Sequence, residues 1–332
     1  MNKRELAAKA FKNEKTERVP VGFWFHYAKD EIEDGFKNTA LFDNNVEGHK
    51  KFYREFQPDF VKIMSDGFFI YPGEAFKNAK TGPELGKAVS IGENHRWIEK
   101  QVEYAKTITA HCGAEVMCFY NIFSPATFFR FCRADQGDKG LADFIAQDRD
   151  AAAHALDVAA GDIALLIRRL LSETGVDGIY FSVQDINDPR VTDEIREKIL
   201  APSDLKALEP AVKVSQFNIL HICGYAGCKN DLSHFTGYPA QIINFASVVE
   251  GVSLGEGKKI FGGKPVIGGF GNTTDDLLYT GSRAEIETET ERLLKEAGTL
   301  GVVLGADCTV PRDISIDHLT WVRDKAAAFC AS

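Results

Sequence analysis

Little in this chain suggests a membrane, a disulfide scaffold or a nucleic-acid surface. No apolar run approaches the roughly 20 residues that span a bilayer, so no transmembrane segment is expected. Basic residues are the minority, 39 Lys and Arg against 48 Asp and Glu among 332 residues, for a formal charge of -9. That balance argues against a general nucleic-acid or anionic-membrane surface, though not against a local basic patch. The seven cysteines are odd in number and follow no framework spacing. They fit a reducing, cytoplasmic setting with free or metal-bound thiols. Residues 1–6 read as the start of a polar amphipathic helix without a hydrophobic signal region, so a secretory leader is not expected. Internal repeats, low-complexity tracts and a flexible linker are missing too, and the chain is read as one domain, residues 1–332. The glycines at 255–263 lie near Lys258 and Lys259, but no glycine-lysine-serine/threonine follows at P-loop spacing.

What is present is a large apolar fraction, 44%, arranged in short runs. Eight runs are apolar, β-branched or aromatic: residues 19–26, 60–64, 115–122, 176–183, 217–223, 241–245, 265–270 and 301–304. Helical periodicity fills the intervals, most clearly at 152–173, 203–216 and 283–297. Ser203 is expected to cap one helix. Ser282 with Glu285 forms a serine-x-x-acid capping box for another. Eight strands alternating with helices predict an α/β fold, a single (β/α)8 TIM barrel, with a doubly wound sheet as the alternative. Residues 67–92, rich in Gly, Pro, Lys and Asn, are expected as an insertion at the mouth between the second and third runs. A second mouth loop with a short charged helix is expected at 187–202, and a solvated helix face at 143–150.

Two of the runs end in soft metal ligands. His221 and Cys223 close the fifth run, and side chains two apart on a strand share a face. Cys308 follows the eighth run in Gly305-Ala306-Asp307-Cys308. Three nitrogen and sulfur ligands with a fourth position open is the pattern of a catalytic zinc site. The plainer reading is that these are core residues, because cysteine often behaves as a small buried hydrophobe. Barrel topology favours the site reading: active sites lie at the C-terminal strand ends, where all three would meet.

Other polar residues fall at the same rim. Asp66 ends the second run as a candidate general base or substrate ligand, or as a cap of the following turn. Asn121, Ser124 and Arg130 follow the third run among Phe123, Phe128, Phe129 and Phe131. Gln184 and Asp185 end the fourth, and His26 ends the first. Gly268-Gly269-Phe270-Gly271-Asn272 ends the seventh, where glycine permits close backbone approach by a ligand. Asn121, Gln184 and Gly269 are the cofactor-binding candidates. Cys228 is a possible fourth metal ligand. Cys112, Cys118, Cys132 and Cys330 read as structural.

These motifs resemble the uroporphyrinogen decarboxylase superfamily over essentially the whole chain. They include Arg18-Val19-Pro20-Val21, Ser65-Asp66-Gly67, Phe123-Ser124-Pro125-Ala126-Thr127, Leu220-His221-Ile222-Cys223-Gly224, residues 268–272 and Leu304-Gly305-Ala306-Asp307-Cys308-Thr309-Val310-Pro311. The resemblance implies a (β/α)8 barrel. Decarboxylases of the family use no metal and grip substrate carboxylates with an N-terminal arginine segment. Here Phe23-Trp24-Phe25-His26-Tyr27 stands in its place. Phe131 falls where they keep a tyrosine, and their histidine after the eighth strand has no counterpart in Gly305–Cys308; only Asp66 matches. A second branch holds zinc-dependent methyltransferases that move a methyl group between a corrinoid protein and a thiol or pterin. Its thiol-using members carry His-x-Cys and a distant Cys, which His221, Cys223 and Cys308 match.

The resemblance therefore implies zinc on His221, Cys223 and Cys308, a corrinoid protein as partner and methyl carrier, and a small thiol or similar molecule as acceptor. Asp66 would join the triplet in the catalytic set. The alternative is a decarboxylase-type lyase acting on a tetrapyrrole or smaller pyrrolic acid. A non-catalytic corrinoid- or zinc-binding accessory protein is the third reading.

Overall fold

A computed structural model of the chain describes residues 1–225 and 227–331. Among these residues, seven short strands form one parallel sheet in sequence order. They are β1 (Phe60–Ile63), β2 (Met117–Phe123), β3 (Gly178–Val183), β4 (Ile219–Ile222), β5 (Ile242–Phe245), β6 (Val266–Phe270) and β7 (Val302–Ala306). Nearly every strand residue is buried, as befits strands covered on both faces. No helix among the described residues is long and apolar enough to cross a membrane.

The first of the eight expected strands is not a regular strand. Among the described residues, its ladder pairing is a single parallel bridge, Val21 with Leu304. Pro20 supplies one reason, since proline cannot donate to a ladder. The segment still touches both edges of the sheet. Gly22 N donates to Leu304 O, Leu304 N to Pro20 O, and Asp59 N to Val21 O, each at 3.0 Å. The fully buried Asp59 carboxylate accepts two 2.6 Å hydrogen bonds from Arg18 and one of 2.8 Å from Val21 N. Bidentate guanidinium pairing of this kind is both strong and orienting. Close approach on the β7 side requires glycine: a Cβ on Gly305 would stand 2.9 Å from the Gly22 carbonyl oxygen. The architecture is thus an α/β, TIM-barrel-like fold with seven strands and one extended segment between its edges.

Alternation along the strands divides the apolar residues into two cores. The inner one takes Phe60, Met117, Phe119, Tyr180, Ile219, Ile242, Ile267 and Val303, at least one from every strand, together with Trp24. Contributions from all seven strands to one cluster require a curled sheet. Ala7, Ala10 and Phe11 join it from the N-terminal helix Lys3–Ala10 and its cap. Arg4 fixes that helix through Gly113 O, Val116 O and Asp177, just before β2 and β3. The outer core packs helices on the sheet, including the long Arg149–Glu173 with its alanine-rich buried face.

The loops depart from expectation in detail. Residues 67–92 contain two short helices, Glu74–Asn78 and Gly82–Leu85. Arg133 binds the carbonyls of Phe76 and Ala79 at 2.8 and 2.5 Å, and Tyr71 donates to Asp162 at 2.5 Å. Most of the segment therefore lies against neighbouring helices, while Phe69 lines the mouth. Ser203 is not an N-cap. Helical backbone begins at Asp193 under the Thr192 cap, widens to a π turn at Arg196–Leu200, and continues as Ala201–Val214. Pro202, without an N–H, lies two residues past the widened turn and removes one ladder bond there. The charged stretch 143–150 spans a junction: helix Gly137–Gln147 ends and Asp148 caps Arg149–Glu173 by accepting from Ala151 N. Ser282 and Glu285 form the anticipated capping box.

Candidate metal centre

Parallel register sets Ser182, His221 and Asn244 side by side on β3, β4 and β5. Cys223 lies one residue beyond β4 and Cys308 two beyond β7. The side chains of His221, Cys223 and Cys308 converge there, with their ligand atoms all within 4.8 Å of one another. The Cys223 and Cys308 sulfurs are 3.9 Å apart, and Cys308 Sγ is 3.5 Å from His221 Nε2. A tetrahedral zinc with bonds of about 2.3 Å to sulfur and about 2.0 Å to nitrogen has ligand–ligand edges of roughly 3.5–3.8 Å. The two edges that Cys308 makes already have nearly that spacing.

Its histidine is oriented from behind. His221 Nδ1 lies 2.5 Å from Asn244 Oδ1. The Asn244 amide cannot turn round, because its Nδ2 donates to Ile267 O at 2.9 Å and Ala306 O at 3.3 Å. Tyr180 OH also donates to Asn244 Oδ1. An amide oxygen only accepts, so Nδ1 carries the proton and Nε2 presents a lone pair towards the sulfurs. Both cysteines are half-buried and His221 is buried. Hydrogen bonding between the sulfurs eases ionisation of Cys308 and holds Cys223 protonated. The pair therefore gives up its protons in two separate steps.

Below the triplet, the buried Lys62 of β1 points its ammonium at the Tyr180 ring, 4.0 Å from the centroid, and at Trp24, 5.1 Å. Burial lowers its pKa to about 8, against the opposing pull of Cys308, Cys223 and Asp66. Above the triplet, Cys223 and Cys308 line a cavity of about 330 Å³. Phe69, Phe123 and Phe131 form an aromatic wall, with centroid separations of 4.6 to 5.1 Å. Arg130, Gln184, Ser182 and His26 supply polar groups to the same cavity.

The other candidates are distributed unevenly. Gln184 lines the cavity, its Oε1 accepting from Arg130 at 2.8 Å while its Nε2 is buried without a partner. Asn121 is enclosed between Ser65 and Ser182, bonded to both. Asp66 is fully buried outside the triplet: Oδ1 meets His26 Nδ1 at 2.7 Å, and Oδ2 accepts from Tyr27 N and Ala28 N. His26 is also 2.7 Å from Glu31 through Nε2. Gly269 lies away from the mouth. With φ 111° it turns towards helix residues Leu293 and Leu254, which an added Cβ would meet at 2.9 and 3.3 Å. Positive φ at both Gly268 and Gly269 breaks the inward alternation of β6. Cys228 bridges to Tyr225 in a separate turn and is not among the converging ligands. Cys112 and Cys118 are buried with their sulfurs 3.7 Å apart, and these two, Cys132 and Cys330 are all free thiols.

Sequence reasoning missed Asn244, Tyr180 and Lys62. Asn244 and Lys62 are single polar residues inside otherwise apolar runs, Ile-Ile-Asn-Phe and Phe-Val-Lys-Ile, and that interruption was the available signal.

The family profile of uroporphyrinogen decarboxylase (URO-D) matches residues 2–329, and the chain belongs to that family. Among solved structures, it is similar to a methyltransferase from Methanosarcina mazei, with TM-score 0.71 and 17% identity over 99% of both chains. It is also similar to a B12-independent methionine synthase from Shewanella sp. W3-18-1 in complex with selenomethionine (TM-score 0.54, 14% identity, 95% of this chain and 96% of that one). A putative vitamin-B12 independent methionine synthase from Listeria monocytogenes gives TM-score 0.54 and 13% identity over 95% of this chain and 99% of that one. At these identities the likeness is one of fold. No curated protein matches the chain in sequence.

Proposed function

We propose that the protein is a zinc-dependent methyltransferase that moves a methyl group between a corrinoid, carried by a partner protein, and a small thiol. The observation that carries this reading is the His221–Cys223–Cys308 convergence, oriented by Asn244 and open to the 330 Å³ cavity. Zinc at the triplet would keep the acceptor sulfur as a thiolate, the nucleophilic form. Asn244 holds His221 in the tautomer that leaves Nε2 free. The aromatic wall excludes water from the reacting sulfur, and Arg130 and Gln184 supply donors for the polar end of the acceptor. Asp66 acts as a positioning residue, fixing His26 at the cavity edge. The methyltransferase fold neighbour supports the same class of enzyme. The test is methyl transfer from methylcobalamin to a panel of small thiols, with and without chelator. Chelator-sensitive transfer is expected. Full transfer by zinc-free protein contradicts the mechanism.

Family membership also keeps a lyase in view. Against it, Arg130 is the one arginine lining this cavity among the described residues. A tetrapyrrole with eight carboxylates needs several cationic partners. Formation of coproporphyrinogen from uroporphyrinogen without metal would support the lyase instead.

A further inference from the structure

Lys62 is a charged side chain where the fold would otherwise place an apolar one. Its neighbours on the inner face are Phe60 and Met64, both in the inner core, and it is 5% exposed. Among the described residues, no carboxylate forms an ion pair with it; its close contacts are the ring faces of Tyr180 and Trp24. An ammonium removed from water without a counter-ion is costly, and ring faces compensate it only in part. The groups whose ionised forms favour its ammonium are, in order of influence, Cys308, Cys223 and then Asp66. Tyr180 touches both Lys62 and the triplet's surroundings: the ammonium stands over its ring, the ring is 5.5 Å from the His221 ring, and its hydroxyl binds Asn244.

Charge counting gives this placement a purpose, resting on the metal reading above. A divalent ion with two thiolates and a neutral histidine is neutral overall. With such an ion held by His221, Cys223 and Cys308, an acceptor thiol that gave up its proton to solvent would add a thiolate, leaving one net negative charge in a low-dielectric interior. We propose that the Lys62 ammonium is the built-in counter-charge for that anionic state, making it a positioning residue for the acceptor thiolate.

Such a role predicts effects of opposite sign on two equilibria. A fixed cation beside the site disfavours a divalent ion and favours an added anion. Cobalt(II) serves as a coloured substitute for zinc, and 2-mercaptoethanol as the thiol probe. Lys62→Met should take up one cobalt per chain at affinity equal to or above that of the unmodified protein. The same variant should bind 2-mercaptoethanol at least tenfold more weakly, read from the sulfur-to-cobalt charge-transfer band; tenfold corresponds to about 1.4 kcal/mol. Lys62→Gln provides the same test if the methionine variant does not fold. Unchanged thiol affinity overturns the assignment, as do parallel losses of metal and thiol binding. Failure of both variants to fold assigns Lys62 to the core and also overturns it. If the unmodified protein takes up no cobalt, the metal reading fails and this inference falls with it. Cobalt uptake with a Lys62-independent thiol affinity removes this inference alone.

Discussion

His221 Nδ1 stands 2.5 Å from Asn244 Oδ1, and Asn244 is locked in that orientation by the carbonyls of Ile267 and Ala306. The imidazole is thereby committed to one tautomer before any ligand arrives. Partners of this kind behind a metal-binding histidine typically change affinity by about 10- to 100-fold when removed. Asn244→Ala should lower zinc affinity by about that factor, measured by competition with a chromophoric chelator. The buried Tyr180 hydroxyl also loses its acceptor, so a stability loss of about 1–3 kcal/mol should accompany it. Unaltered zinc affinity would show that Asn244 serves only the core.

The two sulfurs should behave differently from the histidine partner. Cys308→Ser is expected to lower zinc affinity and methyl transfer together, with the fold retained, since Cys308 is half-buried at a rim. Circular dichroism and zinc content measured on the same sample check this. Transfer at the normal rate by a zinc-free Cys308→Ser protein would exclude the mechanism.

His26 sets a pH dependence. Burial opposes its protonation, but hydrogen bonds to Asp66 and Glu31 outweigh that and push its pKa from 6.5 up to about 10. The folded state therefore holds the proton more tightly than the unfolded chain. The resulting stabilisation is complete below about pH 6.5 and is lost as pH rises through about 10. Unfolding free energy from urea titrations should fall across this window, and His26→Gln should flatten the fall. Identical pH slopes for the two proteins would mean that the ion pair contributes nothing.

The closure between β7 and the 18–22 segment depends on Gly305. An alanine Cβ there would stand 2.9 Å from the Gly22 carbonyl oxygen and 3.2 Å from Ile267 Cγ2. Overpacking of this type costs about 1–3 kcal/mol. Gly305→Ala should shift the urea midpoint down accordingly. A neutral substitution would show that the 18–22 segment yields freely.

Much of this was legible before the structure. Seven of the eight strand runs followed from short apolar, β-branched stretches, and the convergence of His221, Cys223 and Cys308 from their i, i+2 spacing and the rule that barrel sites gather at C-terminal strand ends. What patterning does not encode is backbone pairing at residues that break the rules. Pro20 leaves the first run with one bridge instead of a strand. Positive φ at Gly268 and Gly269 turns a glycine expected at the mouth towards the outer helices. Asp66 was legible as a rim residue, but not that its oxygens would be taken by His26, Tyr27 and Ala28, because those partners lie about 40 residues away. Asn244 and Lys62 acquire meaning only once register sets them beside and below His221.

His221, Cys223 and Cys308 are proposed as a zinc site. The most direct test is zinc content by mass spectrometry on protein purified without added metal, beside a His221→Ala/Cys223→Ala variant. About one zinc per chain is expected, lost in the variant. No zinc in the unmodified protein, even after reconstitution under reducing conditions, would contradict it and return the three residues to the core.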